Sequence, residues 1–320
     1  MANLNIGIKE RPKLGQWLLL SLQHVFAMFG ATVLVPLLTG LDIGVALVAS
    51  GVGTLIYIIC TRGKVPVYLG SSFAYIGAIS TAAIGTDFSA AYVGLMVVGL
   101  IYATVALIIR FTGSGWLKKI LPPVVVGPMI IIIGLSLAPT AIEQSGLFSA
   151  EYYANNPLFY PGVDPSLVSW AVPLVAIITF LAVVGIAAFS KGFFKIIPFI
   201  LAIVIGYAAA MVFGLVPVEF AFGFLPYPDV FTGYQLFQIP NFTFLGSYDL
   251  NYTAILTFAP LAFVTLAEHI GDHSVLGEIC EEDFITDPGL DKTILGDGIA
   301  TFVAAAIGGP ANTTLTGVLA

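Results

Sequence analysis

Two carboxylates and two histidines lie within eight residues of one apolar segment, at 266–273 (LAEHIGDH). Glu268 and Asp272 are four residues apart, as are His269 and His273, so a helix places each pair on one face. Ionisable groups at membrane depth are costly, and they usually face a cavity and mark a substrate or proton path. This stretch is therefore the first candidate for a site that binds a polar substrate or carries protons.

The third histidine, His24, lies in the first apolar segment, where an imidazole needs a partner. With His269, His273 and Asp272 it leaves open a metal site in a membrane-embedded enzyme, because imidazole and carboxylate are ordinary metal ligands. The two cysteines of the chain form no metal-binding spacing. We expect no enzyme activity, no bound metal and no cofactor.

The 320-residue chain is 58% hydrophobic and 9% charged, which is not the composition of a soluble domain. A membrane-spanning helix needs about 20 apolar residues, and nine such segments precede a tenth that begins at residue 312. The nine cover residues 15–38, 43–61, 67–84, 88–111, 118–142, 166–190, 194–217, 251–277 and 293–308. The sequence thus predicts an all-α, polytopic protein of the lipid bilayer. It has no basic patch that would indicate nucleic-acid binding.

The basic residues are all on one side of the predicted membrane. When the segments are counted, all eleven Lys and Arg residues fall on the same side as the N-terminus. The connections on the opposite side contain acidic residues and no Lys or Arg. The positive-inside rule therefore predicts a cytoplasmic N-terminus.

The third and tenth segments do not begin as helices. Residues 65–69 (VPVYL) are β-prone, Pro66 lacks a backbone donor, and 70–72 (GSS) resemble a turn. An extended piece should therefore precede a short helix from about Ser71 to Ala83. Residues 309–314 (GPANTT) have the same character. Extended backbone at membrane depth is tolerated only where protein or a cavity surrounds it.

The sequence also repeats itself. Residues 23–25 (QHV) match 268–270 (EHI), and two glycines of the second segment match two of the ninth at the same spacing: Gly51 and Gly53 with Gly296 and Gly298. Seven segments separate the copies, so the second copy enters the membrane from the opposite side. Inverted repeats with broken segments at matching positions are typical of secondary transporters with a midplane site. Segments one, three, eight and ten should converge there.

Five stretches resemble motifs of the nucleobase–ascorbate transporter (uracil–xanthine permease) family, in particular those of bacterial uracil permeases. They are residues 21–36 (SLQHVFAMFGATVLVP), 68–74 (YLGSSFA), 267–271 (AEHIG), 287–290 (DPGL) and 310–314 (PANTT). The resemblance covers residues 6–314. It implies fourteen helices in two inverted seven-helix repeats, which form a core domain (helices 1–4 and 8–11) and a gate domain (helices 5–7 and 12–14).

On this basis residues 1–14 are a cytoplasmic arm and residues 15–111 are core helices 1–4. Residues 112–250 are gate helices 5–7, and residues 251–320 are core helices 8–10, with a short extended strand before each of half-helices 3 and 10. The resemblance also implies a chain truncated after about helix ten, so we expect helices 11–14 to be missing from it.

Carried over residue by residue, the resemblance assigns Glu268 as the carboxylate that hydrogen-bonds the nucleobase. Phe73 offers a backbone N–H and a ring wall, and Ala31 lines the pocket. We expect Glu268, Asp272 and His24 to take part in proton coupling. The family's second substrate carboxylate, in a Tyr-Gly-Glu-Asn motif after Asn-Thr-Thr, has no counterpart, because residues 315–318 read LTGV.

The resemblance thus implies a proton-coupled symporter that imports uracil across the inner (plasma) membrane, and a homodimer is possible. Two alternatives stay open. Asp272 occupies a place where uracil permeases have His and purine-transporting relatives often have Asp, which indicates a xanthine or urate permease. The other is an anion exchanger of similar architecture, but such a site should need positive charge or bare helix ends rather than carboxylates.

Overall fold

The computed structural model describes residues 13–83, 87–146, 165–190, 194, 198–216, 239–243 and 248–314. Within some helices the side chains are not described, that of Ala31 among them. By its internal contacts the chain divides into two compact units. The first comprises Met1–Ile133 with Ile239–Ala320, and the second comprises Gly134–Gln238.

The described part of the first unit is built mainly from helices. They are α1 (Leu14–Thr39), α2 (Ile43–Thr61), α3 (Ile76–Ala82), α4 (Ser89–Thr112), α5 (Gly115–Ile120), α10 (Tyr252–Cys280) and α11 (Leu290–Ala306); α6 (Pro123–Ser136) crosses the division between the units. Local chemistry sets several of these ends. The side chain of Asn251 accepts bonds from the N–H groups of Thr253 and Ala254 at the start of α10, which satisfies donors that have no partner within the helix.

The predicted break in the third segment is confirmed. Strand β1 (Leu69–Ser71) follows the Pro66 stretch, a 3₁₀ turn covers Phe73–Tyr75, and α3 comes next. Strand β2 (Asn312–Thr314) lies at the matching place after α11 and pairs antiparallel with β1, Gly70 opposite Thr313. The expected half-helix after β2 lies outside the described residues. The two strands thus satisfy each other's backbone hydrogen-bonding groups inside the unit.

Glycines let the helices around this strand pair approach closely. A Cβ on Gly298 of α11 would lie 2.7 Å from the Cβ of Tyr102 and 2.9 Å from the carbonyl of Gly99, both on α4. A Cβ on Gly53 of α2 would overlap the side chain of Asn312 and lie 3.2 Å from that of Ala300. Small residues allow such contacts between membrane helices, so α11 is held tightly between α2 and α4.

The hydrophobic core of the first unit lies between α3, α4, α10 and α11. Its largest fully buried side chains include Tyr75, Tyr102 and Phe258, and the rings of Tyr75 and Phe258 stack at 6.1 Å. A second cluster joins the C-terminal ends of α2 and α10 and contains Tyr57, Leu69 and Leu276. The two clusters enclose the middle of α10, where the acidic and histidine residues lie.

The described part of the second unit contains α7 (Ala138–Gln144), α8 (Pro165–Phe189) and α9 (Pro198–Val212). The ring of Trp170 on α8 meets that of Phe213, just after α9, at 5.8 Å. A small cluster around Ala171, Val172 and Leu215 is buried between them. No candidate site residue lies in this unit.

Four of the described helices are long and apolar enough to cross a membrane: Ile43–Thr61, Ser89–Thr112, Ser166–Phe189 and Tyr252–Cys280. Large apolar side chains remain exposed on these helices, such as Ile59, Phe111 and Phe180, as expected for helices that face lipid. The fifth predicted segment is divided into α5, α6 and α7, and α6 begins directly at Pro123.

Candidate functional site

Glu268 lies in the C-terminal half of α10 and carries a buried oxygen that has no hydrogen-bond partner among the described residues. Its Oε2 is shielded from solvent and forms no hydrogen bond to any described residue. No Lys or Arg in the described part of the chain forms an ion pair with it. A buried acceptor without a donor costs free energy, so this oxygen is available for an N–H donor or a proton.

Asp272, one turn further along α10, is half-buried. Asp272 and Asp297 are the acidic neighbours whose charges act on Glu268. Neighbouring carboxylates repel one another when they are ionised. The structure thus brings two of the predicted proton-coupling residues, Glu268 and Asp272, together.

The 3₁₀ turn that begins at Phe73 is tied to α10 near Glu268. The hydroxyl of Tyr75 and that of Thr265 share a buried hydrogen bond of 2.7 Å, and Thr265 is three residues before Glu268. Phe73 itself is half-buried, so part of its surface is accessible. The predicted aromatic wall and the predicted carboxylate are therefore carried by elements in direct contact.

Both histidines of α10 are buried and fully bonded. His269 Nδ1 contacts Asp297 Oδ2 at 2.7 Å and Nε2 contacts Thr293 Oγ1 at 3.0 Å, both on α11. His273 Nδ1 donates to the carbonyl of His269 at 2.8 Å, and Tyr57 of α2 donates to Nε2 at 2.6 Å. Neither ring has a nitrogen left for a metal ion. In agreement, no cluster of metal-ligating side chains exists among the described residues.

The strand pair is fastened to α2 and α11. Ser50 of α2 donates to the carbonyl of Leu69, and Thr301 of α11 donates to the carbonyl of Asn312 at 2.7 Å. The side chain of Asn312 in turn donates to the carbonyl of Ala49 at 2.8 Å. The strands are thus held by the same two helices that bind the rings of the α10 histidines.

The remaining predicted residues lie on α1. His24 is half-buried, and its ring meets that of Tyr68 edge to face at 6.0 Å. This places His24 beside the start of β1, with no described contact to Glu268. Ala31 lies within α1, but its side chain is outside the described part of the structure, so its expected place in the pocket remains a prediction.

Sequence analysis missed several buried polar residues around the site. Asp297 is completely buried, and its Oδ1 has no hydrogen-bond partner among the described residues. Glu268 was identified because it is an acid inside an apolar segment. Asp297, which lies between two glycines of the ninth segment, could have been identified in the same way. Tyr57 and Thr293 gave no such signal, because single hydroxyls are common in membrane helices.

Comparison with known proteins finds a family profile and several relatives that match most of this chain. The profile of the Permease family, Xan_ur_permease, matches residues 15–320. The uracil permease of Bacillus caldolyticus is 42% identical over 313 residues, which are 97% of this chain and 66% of that protein. The uracil permease of Bacillus subtilis (strain 168) is 42% identical over 314 residues, 97% of this chain and 67% of that protein. The chain thus spans about two thirds of the length of these relatives.

A more distant relative is the uracil permease of Escherichia coli (strain K12), 35% identical over 318 residues, 98% of this chain and 67% of that protein. Among solved structures, the transmembrane domain of the cyanobacterial bicarbonate transporter BicA superposes with a TM-score of 0.58 at 14% identity. The match covers 97% of this chain and 77% of that chain. At this identity the likeness concerns the fold alone.

Proposed function

This chain belongs to the Permease family, and from that premise we propose that it imports uracil across the inner membrane together with protons. The match of the family profile to residues 15–320 confirms the resemblance seen in the sequence motifs. Family membership makes the chain part of a multi-pass membrane transporter rather than an enzyme. The relatives named above are uracil permeases, which is why uracil is the substrate we propose.

One observation carries the proposal: the buried Oε2 of Glu268 has no donor among the described residues. Uracil is a planar, neutral ring with two N–H donors and two carbonyl acceptors. A carboxylate accepts strongly from an N–H group, and a site built to bind polar edges of a ligand discriminates against analogues that lack them. We assign Glu268 to a uracil N–H, and Phe73 and Ala31 to the walls around the ring.

The same residue supports proton coupling. Glu268 has acidic neighbours in Asp272 and Asp297 and no basic partner in the described part of the chain. Binding a proton would remove one negative charge from this region before it moves through the membrane, where a net charge is expensive. We therefore propose Glu268 as the coupling group, with Asp272 modulating it. His24 is a weaker candidate, since the structure brings it to Tyr68 instead.

Two contacts support the proposed orientation. Lys64, after α2, forms an ion pair with Asp287, in the turn after α10. The distribution of Lys and Arg places both segments, which contain Lys64 and Lys292, on the side of the N-terminus. Asp42, before α2, accepts a bond from the N–H of Asn241 at 3.4 Å. Both residues lie in connections without Lys or Arg, which the predicted topology places on the opposite side. The assignment of these connecting segments to the two sides of the membrane is therefore self-consistent within this unit. We propose a cytoplasmic N-terminus.

We also propose that residues 15–111 and 251–320 form the core domain and residues 112–250 the gate domain. The pairing of β1 with β2, at matching places in the two repeats, supports an inverted-repeat arrangement. Formation of a homodimer remains a proposal drawn from the family resemblance.

A xanthine or urate permease is the second candidate, favoured by one residue: Asp272 is half-buried next to Glu268. A competition experiment distinguishes a uracil permease from a xanthine or urate permease. In cells that produce the protein, radiolabelled uracil uptake should be abolished by excess unlabelled uracil and hardly affected by xanthine or urate. Strong competition by xanthine, with weak competition by uracil, would replace the first candidate by the second.

A further inference from the structure

We propose that His269 is a positioning residue, which fixes the direction in which Glu268 points from α10. The inference rests on the proposed function, because it concerns the carboxylate assigned to the substrate there. It is carried by the contacts of the His269 ring and by the helices that form them.

His269 is clamped at two points. Its ring is 1% exposed, and its two nitrogens contact Asp297 at 2.7 Å and Thr293 at 3.0 Å. Asp297 and Thr293 are four residues apart on α11, so they lie on one face of that helix. The ring therefore cannot turn without losing a contact that no water replaces in a buried site.

Both contacts persist in either protonation state of the ring. A protonated Asp297 donates its O–H to Nδ1, and Nε2–H then donates to the Thr293 hydroxyl. An ionised Asp297 only accepts, so Nδ1 then carries a proton. In a neutral ring Nε2 then accepts from the Thr293 hydroxyl. In a charged ring Nε2 donates to that hydroxyl, which can turn toward the carbonyl of Leu290 at 3.3 Å. The clamp is thus a geometric device that does not depend on the charge of the histidine.

Clamping His269 sets the rotation of α10 about its axis. Adjacent residues of an α-helix project about 100° apart, so a fixed His269 side chain fixes the direction of Glu268. His273, one turn further on, stacks on His269 with ring centroids 4.0 Å apart and bonds Tyr57 of α2. Two helices therefore hold α10 against rotation, one on each ring.

The same two helices hold the strand pair that leads into Phe73. Ser50 and Asn312 connect the strands to α2, and Thr301 connects them to α11. Glu268 and the turn at Phe73 are thus positioned relative to one frame made of α2 and α11. Loss of the His269 clamp would leave α10 held by the Tyr57–His273 and Tyr75–Thr265 bonds, and the direction of Glu268 relative to the strands would then be less fixed.

The test measures, in the absence of substrate, how accessible the side chain at position 268 is to a labelling reagent. Cys60 and Cys280, the free cysteines among the described residues, are first replaced by Ala. Glu268→Cys is then labelled with a small maleimide, with His269 intact and with His269→Ala. We expect His269→Ala to change the labelling rate at least about fivefold. The matched control is Leu276→Ala, a fully buried position on the same helix, which should destabilise the protein but leave the labelling rate unchanged.

A second arm measures uracil affinity with Glu268 present. His269→Ala should weaken binding about tenfold, or about 1.4 kcal/mol, and His269→Asn less, since its amide keeps a donor toward Asp297. If His269→Ala does not fold, Thr293→Val removes only one of the two contacts and enters the same comparison. An unchanged labelling rate in folded His269 variants would overturn the inference. Absence of uracil binding by the unmodified protein would refute the proposed function instead, and the labelling arm would still decide the positioning role.

Discussion

Tyr57 of α2 and His273 of α10, 216 residues apart in the chain, share a buried hydrogen bond of 2.6 Å. The tyrosine is 0% and the histidine 1% exposed, so neither group has water as an alternative partner. The bond joins α2 to α10 next to the candidate site.

Tyr57→Phe should therefore destabilise the protein by about 1–3 kcal/mol, because it leaves Nε2 of His273 buried without a donor. The measurement is the melting temperature in detergent. His273→Phe should lower the stability by a similar amount, because it leaves the hydroxyl of Tyr57 buried without an acceptor. The double variant should lose less than the sum of the two, and strict additivity would argue against the bond.

Substitution by Ala should have different effects at Gly51 and at Gly53 of α2. A Cβ at Gly53 would overlap Asn312, so Gly53→Ala should separate α2 from the strand pair and reduce both stability and uptake. A Cβ at Gly51 would meet nothing within 4 Å, so Gly51→Ala should be neutral or stabilising by up to about 1 kcal/mol, as expected from helix propensity. Equal effects of the two substitutions would contradict the close packing described here.

Asn312→Asp should be among the most damaging substitutions in β2. It replaces the donor that binds the carbonyl of Ala49 by an acceptor and buries a charge without a partner. We expect loss of monodisperse protein on gel filtration. Thr301→Val, which removes one neutral hydrogen bond to the same residue, should cost only about 1 kcal/mol. If both variants behave alike, the Asn312 side chain does not have the role assigned to it.

The ion pair of Lys64 with Asp287 should contribute little to stability despite its short distance of 2.5 Å. The two side chains are 47% and 69% exposed, and exposed pairs are worth up to about 1 kcal/mol. Lys64→Ala should lower the melting temperature only slightly, and less still in high salt. A large, salt-independent loss would mean that this pair holds the segments after α2 and α10 together more strongly than its exposure indicates.

The sequence predicted the elements well because their signals are local. Long apolar runs marked α2, α4, α8 and α10, and Pro66 followed by Gly70 marked the extended break before α3. Asn251, directly before the apolar run, caps α10 where the eighth segment was expected to begin.

The pairing of side chains around Glu268 could not be predicted in the same way. The helices concerned are apolar on most sides, so hydrophobic periodicity does not show which face of α10 meets α11. The contact of His269 with Asp297 depends on that rotation. Asp297 itself was identifiable as an acid inside an apolar segment, whereas Tyr57 became significant only through its bond to His273.

The central claim is that Glu268 binds the substrate and couples its movement to protons. It is tested most directly by uracil accumulation in membrane vesicles under an imposed inward proton gradient. The account predicts that the unmodified protein and Glu278→Gln, an exposed acid on the same helix, accumulate uracil, whereas Glu268→Gln does not. Normal gradient-driven accumulation by Glu268→Gln would contradict the account.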